Sequence, residues 1–109
     1  MKEIRWVGTS YQDLRGFSMA ARHEAGYQLY LVQSGREPTD WKPMSRIGAG
    51  VREIRLHRGG EHRVIYVVRF EEAIYVLHAF EKKTQKPSKR DIGLAKTRLS
   101  DIEEQTTRR

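Results

Sequence analysis

An α+β domain, with helices on one face of an antiparallel sheet, is the architecture this sequence predicts. Three observations carry it. Residues 51–58, 62–70 and 73–80 alternate in polarity or are rich in β-branched and aromatic side chains, and very short links join them. Two other stretches repeat apolar residues at spacings of three and four, the period of a helix. The 109 residues suit one core, so the whole chain, 1–109, is expected to be a single domain, and no internal repeat is visible.

Residues 2–7 read as the first strand, with Ile4 and Trp6 on one side, Arg5 and Val7 on the other, and Gly8 as its end. Ser10, three positions before Asp13, makes a capping-box start for a short helix to Arg15, broken by Gly16. Ser18 caps a longer helix through Ser34. Its apolar stripe is Ala21, Ala25, Leu29 and Val32, and Gly35 stands where a left-handed stop is expected. These two helices form a hairpin. The prolines and glycines of residues 36–50 read as loop.

The three later strands follow. Gly59 and Gly60 are free to take the positive φ of a hairpin connection, and Glu71 and Glu72 make the next turn, so the strands form an antiparallel meander. Ser88 and Asp91 are a further capping box. They start a last helix whose inner stripe is Ile92, Ala95, Leu99 and Ile102. Residues 106–109 are expected to fray.

Lys plus Arg is 21 and Asp plus Glu is 14, a formal charge of +7. That balance favours an anionic partner. Residues 82–98 hold seven cations (Lys82, Lys83, Lys86, Lys89, Arg90, Lys96 and Arg98) against Asp91, a net of +6. Cations near a helix N-terminus oppose the macrodipole, so helix stability does not account for them. Together with the helix N–H groups they are expected to make an anion site. The plain alternative is a solvated helix start. There is no cysteine, which excludes disulfides, thiolate zinc sites and a cysteine nucleophile. No apolar run approaches a membrane span and the N-terminus lacks a secretory signal, so the expected location is cytoplasmic, with no membrane partner.

The strands add to the charge. Arg55 lies opposite in face to Ile54 and Leu56, and Arg63 sits in the apolar run HRVIYVV, residues 62–68. Neighbouring strands bring such residues within reach of one another, so Arg55, Arg63 and the loop lysines are expected to converge at one end of the sheet. The bland alternative for Arg63 is an edge-facing arginine paired with Glu53 or Glu61. Among the histidines, His57 shares the Arg55 face and titrates near neutrality. His62 reads as a surface residue at the hairpin tip, His78 as a satisfied core histidine, and His23 has no evident role. Trp6, Trp41, Tyr66 and Tyr75 read as packing residues before base-stacking ones.

The segments VREIRL, HRVIYVV and VLHAFEKKTQKPSKRDIGLAKTRL resemble the phage-derived branch of the RelE/HigB-like toxins of type II toxin–antitoxin modules, over about residues 3–104. The resemblance implies a RelE-like microdomain. It also implies a ribosome-dependent mRNA endoribonuclease that needs neither metal nor other cofactor: the ribose 2′-OH attacks the adjacent phosphate. By position it makes Arg55, Arg63, Lys83 and Lys86 catalytic. Arg63 would stabilise the phosphate, Lys83 or Lys86 would serve the leaving oxygen, and Glu53 would orient Arg55. Arg52, His57, Lys82, Lys89 and Arg90 would bind RNA. The implied partners are the ribosome with its mRNA and a cognate antitoxin of helix-turn-helix type, through which alone operator DNA is met.

The residues agree with that chemistry on their own account. No His, Asp and Glu cluster shows metal-ligand spacing, while fixed positive charge is what in-line phosphoryl transfer requires. Two other functions fit the same charges: a non-enzymatic nucleic-acid-binding module, and a gyrase inhibitor of the ParE type, which shares the architecture.

Overall fold

Eight elements succeed one another: β1 (Glu3–Trp6), α1 (Ser10–Arg15), α2 (Met19–Gln33), β2 (Trp41–Pro43), β3 (Val51–Leu56), β4 (His62–Val67), β5 (Ala73–Glu81) and α3 (Lys89–Thr107). They are seen in a computed structural model, which describes residues 1–86 and 88–107. The strands form one sheet in the order β1-β5-β4-β3-β2. The β3–β4–β5 meander is antiparallel as expected. β1 lies parallel to β5, which makes the sheet mixed. β2, in the stretch read as loop, adds a three-residue edge strand against β3. Pro43 is tolerated there because an edge leaves one side of the backbone unpaired.

The helices cover both faces, a correction to the one-sided arrangement. Ala21, Ala25, Leu29 and Val32 of α2 pack on Ile54, Leu56, Val64, Tyr66, Ile74 and Val76. On the opposite face Ala95, Leu99 and Ile102 of α3 pack on Val51, Ile65, Val67, Tyr75 and Leu77. Every residue of β4 is therefore buried. Its continuous apolar run is the pattern of a strand covered twice. Truncating Leu99 to alanine in such a core costs about 2–5 kcal/mol.

The ends of the elements follow the expected chemistry, with one change. Ser18 accepts from the Ala21 N–H and Ser88 from the Asp91 N–H. Gly35, at φ 80°, ends α2 with the Arg36 N–H donating to the Leu31 carbonyl. Ser10, however, is buried and gives its hydroxyl to the Val76 carbonyl, so Thr9 takes the N-cap position. Thr106 and Thr107 continue α3. Arg108 and Arg109, also expected to fray, lie outside the described residues.

A β-bulge shapes the end of the sheet that matters below. Ile65 pairs with His78 while Tyr66 pairs with Val76, leaving Leu77 extra. Leu77 joins the core beneath α3 and His78 bonds Asp91 of α3. One added residue thus turns two consecutive side chains toward one helix.

Candidate functional site

The β3–β4 register sets Arg55 directly opposite Arg63, with Glu53 one pair further along the same face. Two guanidinium groups facing each other across a ladder repel. Glu53 answers this: its Oε1 lies 3.7 Å from Arg55 Nε and 3.8 Å from Arg63 Nε. These are ion pairs beyond hydrogen-bond length, and Glu53 Oε2 and both Nε groups have no hydrogen-bond partner. Glu53 is 1 % exposed and Arg63 5 %. Arg63 gains two further ties, Nη1 donating to the His62 carbonyl at 2.9 Å and Nη2 to Glu61 Oε1 at 3.1 Å. The alternative pairing with Glu53 and Glu61 is thus what forms, on the central strand and not at an edge.

Arg63 opens onto a cleft of about 380 Å³ lined also by Glu61, Lys82, Lys83, Thr84 and Gln85. A hollow of about 210 Å³ shares Lys82 and Lys83 and adds Lys86, Phe80, Glu81, Ser88 and Asp91. Lys83 is 80 % exposed and stands 3.7 Å from Glu81. Arg55, Arg63, Lys82, Lys83 and Lys86 are therefore gathered at one end of the sheet, Arg55 through the carboxylate it shares.

The other expected residues lie elsewhere. Arg52 is on the α2 face, its guanidinium 4.2 Å above the Trp41 ring, so Trp41 packs against a cation. Lys89 is exposed on the first turn of α3, and Arg90 lines a larger groove along β5. The anion site expected at this helix start has an internal anion: the Asp91 carboxylate accepts from Ser88 Oγ at 2.6 Å and from His78 Nε2 at 2.7 Å. Arg98, counted with the same charge run, is turned inward to the Leu77 carbonyl and Thr9.

The histidines divide by role. His57 Nδ1 lies 2.7 Å from Glu61 Oε2 and Nε2 lies 2.7 Å from Asp40 Oδ2, so each ring nitrogen faces a carboxylate acceptor. The hydrogen bond to Asp40, then that to Glu61, raises its pKa above the ordinary value, while Glu61, bonded to His57 first and Arg63 second, is held below the usual carboxylate range. With a carboxylate at each ring nitrogen, His57 is held toward its protonated form. His62, expected at the surface, is 3 % exposed. It packs at 4.2 Å on Phe17, on the opposite face from Arg63, and its Nδ1–H donates to the Gly60 carbonyl. His78 is satisfied as expected: Nε2–H donates to Asp91, and Nδ1 faces Arg98 at 3.5 Å.

Glu61, named from the sequence only as an alternative partner of Arg63, does pair with it and also walls the cleft, whereas Asp40 as the second anchor of His57 was missed. Nothing local points to Asp40, which is 17 residues from its partner. Among the described residues no group of three His, Cys, Asp or Glu side chains is placed to hold a metal ion, and no helix is long and apolar enough to cross a membrane.

This arrangement can grip a phosphodiester: a buried guanidinium, held by Glu53, Glu61 and a backbone carbonyl, forms the floor, and the ammonium groups of Lys82 and Lys83 form the rim. No curated protein matches the chain. The family model described as phage derived protein Gp49-like (DUF891) matches residues 12–100, from α1 into the last helix and across the whole cleft. The chain belongs to this phage-derived Gp49-like family, which lies in the context of the RelE/HigB-type toxins.

Proposed function

We propose that the chain is the toxin of a type II toxin–antitoxin module and cleaves mRNA on the ribosome. The observation that carries this is the state of Arg63: nine-tenths buried, held by Glu53, Glu61 and a backbone carbonyl, at the floor of a cleft rimmed by Lys82 and Lys83. In the proposed reaction the 2′ oxygen attacks the adjacent phosphorus and the bond from phosphorus to the 5′ oxygen breaks. A cyclic phosphate and a 5′-OH result. Negative charge grows on the non-bridging oxygens, where Arg63 acts without reorganising. Lys83, with Lys86 beside it, protonates the departing oxygen. No unpaired imidazole lines this cleft among the described residues, and Glu61 is a weak base, so the 2′-OH proton passes to water or to a ribosomal group. Arg55 positions Glu53 and through it Arg63. The antitoxin, the ribosome and a cytoplasmic site of action belong to this reading.

Translating ribosomes programmed with a defined mRNA test it. Wild type should release fragments ending in a cyclic phosphate. Arg63→Ala should slow cleavage about a hundredfold or more while ribosome affinity stays within about tenfold. Absence of both cleavage and ribosome binding by the folded protein defeats the proposal. A second reading, a non-enzymatic nucleic-acid-binding module, is favoured by one observation: Arg63 is already paired with two carboxylates. Under it Arg63→Ala lowers affinity alone and no cut ends arise from the wild type.

A further inference from the structure

We infer that Phe80 is a stacking platform for one nucleobase of the RNA, that of the nucleotide carrying the leaving 5′ oxygen. The β4–β5 register sets Phe80 directly opposite Arg63. Paired residues of an antiparallel ladder share a face and are close neighbours. A base next to a phosphate held by Arg63 can therefore reach the Phe80 ring. β5 is buried from Ala73 to Ala79, and Phe80 is its first side chain to come to the surface.

The ring is held in orientation. It stacks on His78, two residues back on the same face, with centroids 5.1 Å apart and planes at 22°. His78 is fixed in turn by Asp91 and Arg98. Phe80 also packs against the core beneath α3. Beyond it the ring borders the hollow of about 210 Å³ that holds Lys86. That hollow joins the Arg63 cleft, since Lys82, Lys83 and Thr84 line both. A fixed aromatic ring beside a cationic cleft is the means by which proteins receive an unstacked base.

Two carboxylates in the wall of the hollow decide how the base is read. Asp91 already accepts from Ser88 and His78, and Glu81 faces Lys83 at 3.7 Å. Neither is left to select one base by its edge. The subsite takes the π face of any base, and only the absence of a base is felt strongly. The side of the cut follows from the lysines. Lys83 and Lys86, assigned to the departing oxygen, line the same hollow as Phe80, so the stacked base is the one 3′ to the cut. This choice of side rests on the proposed cleavage; the stacking itself does not.

The test reads binding without cleavage. The probe is a dinucleotide with a single phosphodiester, methylated at the 2′ oxygen so that it cannot be cut, with a fluorescent adenine analogue as its 3′ base. The full wild-type chain at millimolar concentration should quench it saturably. Phe80→Leu keeps apolar volume and removes the π face, and should weaken binding about five- to tenfold. Phe80→Tyr should bind within about twofold of wild type. A competitor lacking the 3′ base should lose about the same factor against wild type, and should bind wild type and Phe80→Leu alike. Equal binding by wild type and Phe80→Leu overturns the inference. So does an abasic competitor as tight as the intact one, a loss that follows the 5′ base instead, or no saturable quenching by the folded wild type. If the expected quenching is seen while translating ribosomes leave mRNA whole, the platform stands and cleavage falls. If cleavage is seen and binding ignores Phe80, the platform alone falls.

Discussion

Arg55 and Arg63 stand opposite each other on β3 and β4 and share a single carboxylate, that of Glu53, within 3.8 Å of both. The pair is possible only because that buried anion lies between them. Removing its charge leaves Arg63, itself 5 % exposed, facing a like charge across the ladder. Glu53→Gln is therefore expected to destabilise the fold by about 2–4 kcal/mol, read as a drop in the urea midpoint at constant slope. The loss should shrink when Arg63→Met is made as well, since the stranded cation is then gone. Equal losses in both backgrounds would show that Glu53 contributes through packing.

Glu61 holds Arg63 from the cleft side and is also bonded to His57. An incoming phosphate must share the guanidinium with it. Glu61→Gln keeps an acceptor oxygen and removes the charge. RNA affinity should tighten about three- to tenfold near 0.1 M salt, with the gain fading as salt rises. Filter binding of a short RNA measures this. Unchanged affinity would mean that phosphate does not reach Arg63.

The ionic clamp Asp40–His57–Glu61 makes stability depend on pH in a definite direction. His57 is raised above its ordinary 6.5, so its contribution is complete below that value and is lost as pH rises through the raised one. Glu61 is lowered from 4.5, so its contribution is present above that value and is lost as pH falls through the lowered one. The clamp is at full strength between the two ordinary values. Both side chains are about half exposed, so the effect is modest. Wild type should melt lower at about pH 8.5 than at about pH 5.5, and His57→Gln should remove most of that difference. If the variant keeps the same alkaline loss, another group causes it.

Much of this was legible because its causes are local. The stripe Ala21, Ala25, Leu29 and Val32 is the buried face of α2, and Ala95, Leu99 and Ile102 that of α3, since a helix repeats its face every three or four residues. The meeting of Arg55 and Arg63 followed from two strands joined by a short hairpin. What was misread depends on both sides of the sheet. His62 looked like a hairpin tip, yet Phe17, 45 residues earlier, closes over it. The unbroken burial of β4 already pointed to helices on both faces. The bulge at Leu77 and the position of Asp40 leave no local trace, because each is fixed by a partner distant in sequence.

The same long-range logic gives Arg98 a structural task. From α3 it donates to the Leu77 carbonyl at the bulge and to Thr9 after β1, each at 2.9 Å. Its guanidinium occupies the space beside Gly8, where an added Cβ would stand 2.5 Å from Nε and 2.8 Å from Cζ. Gly8 also has φ 57°, which an L side chain adopts at a cost of about 1 kcal/mol. Gly8→Ala thus meets two penalties, the backbone and the displaced arginine, expected to total about 2–3 kcal/mol. In an Arg98→Met background the flexible thioether moves aside, and only the backbone penalty of about 1 kcal/mol should remain. A double-mutant cycle on urea unfolding reads the difference as a coupling of about 1–2 kcal/mol. If Gly8→Ala costs the same with and without Arg98, the close approach is not what requires glycine there, and the left-handed backbone alone explains it.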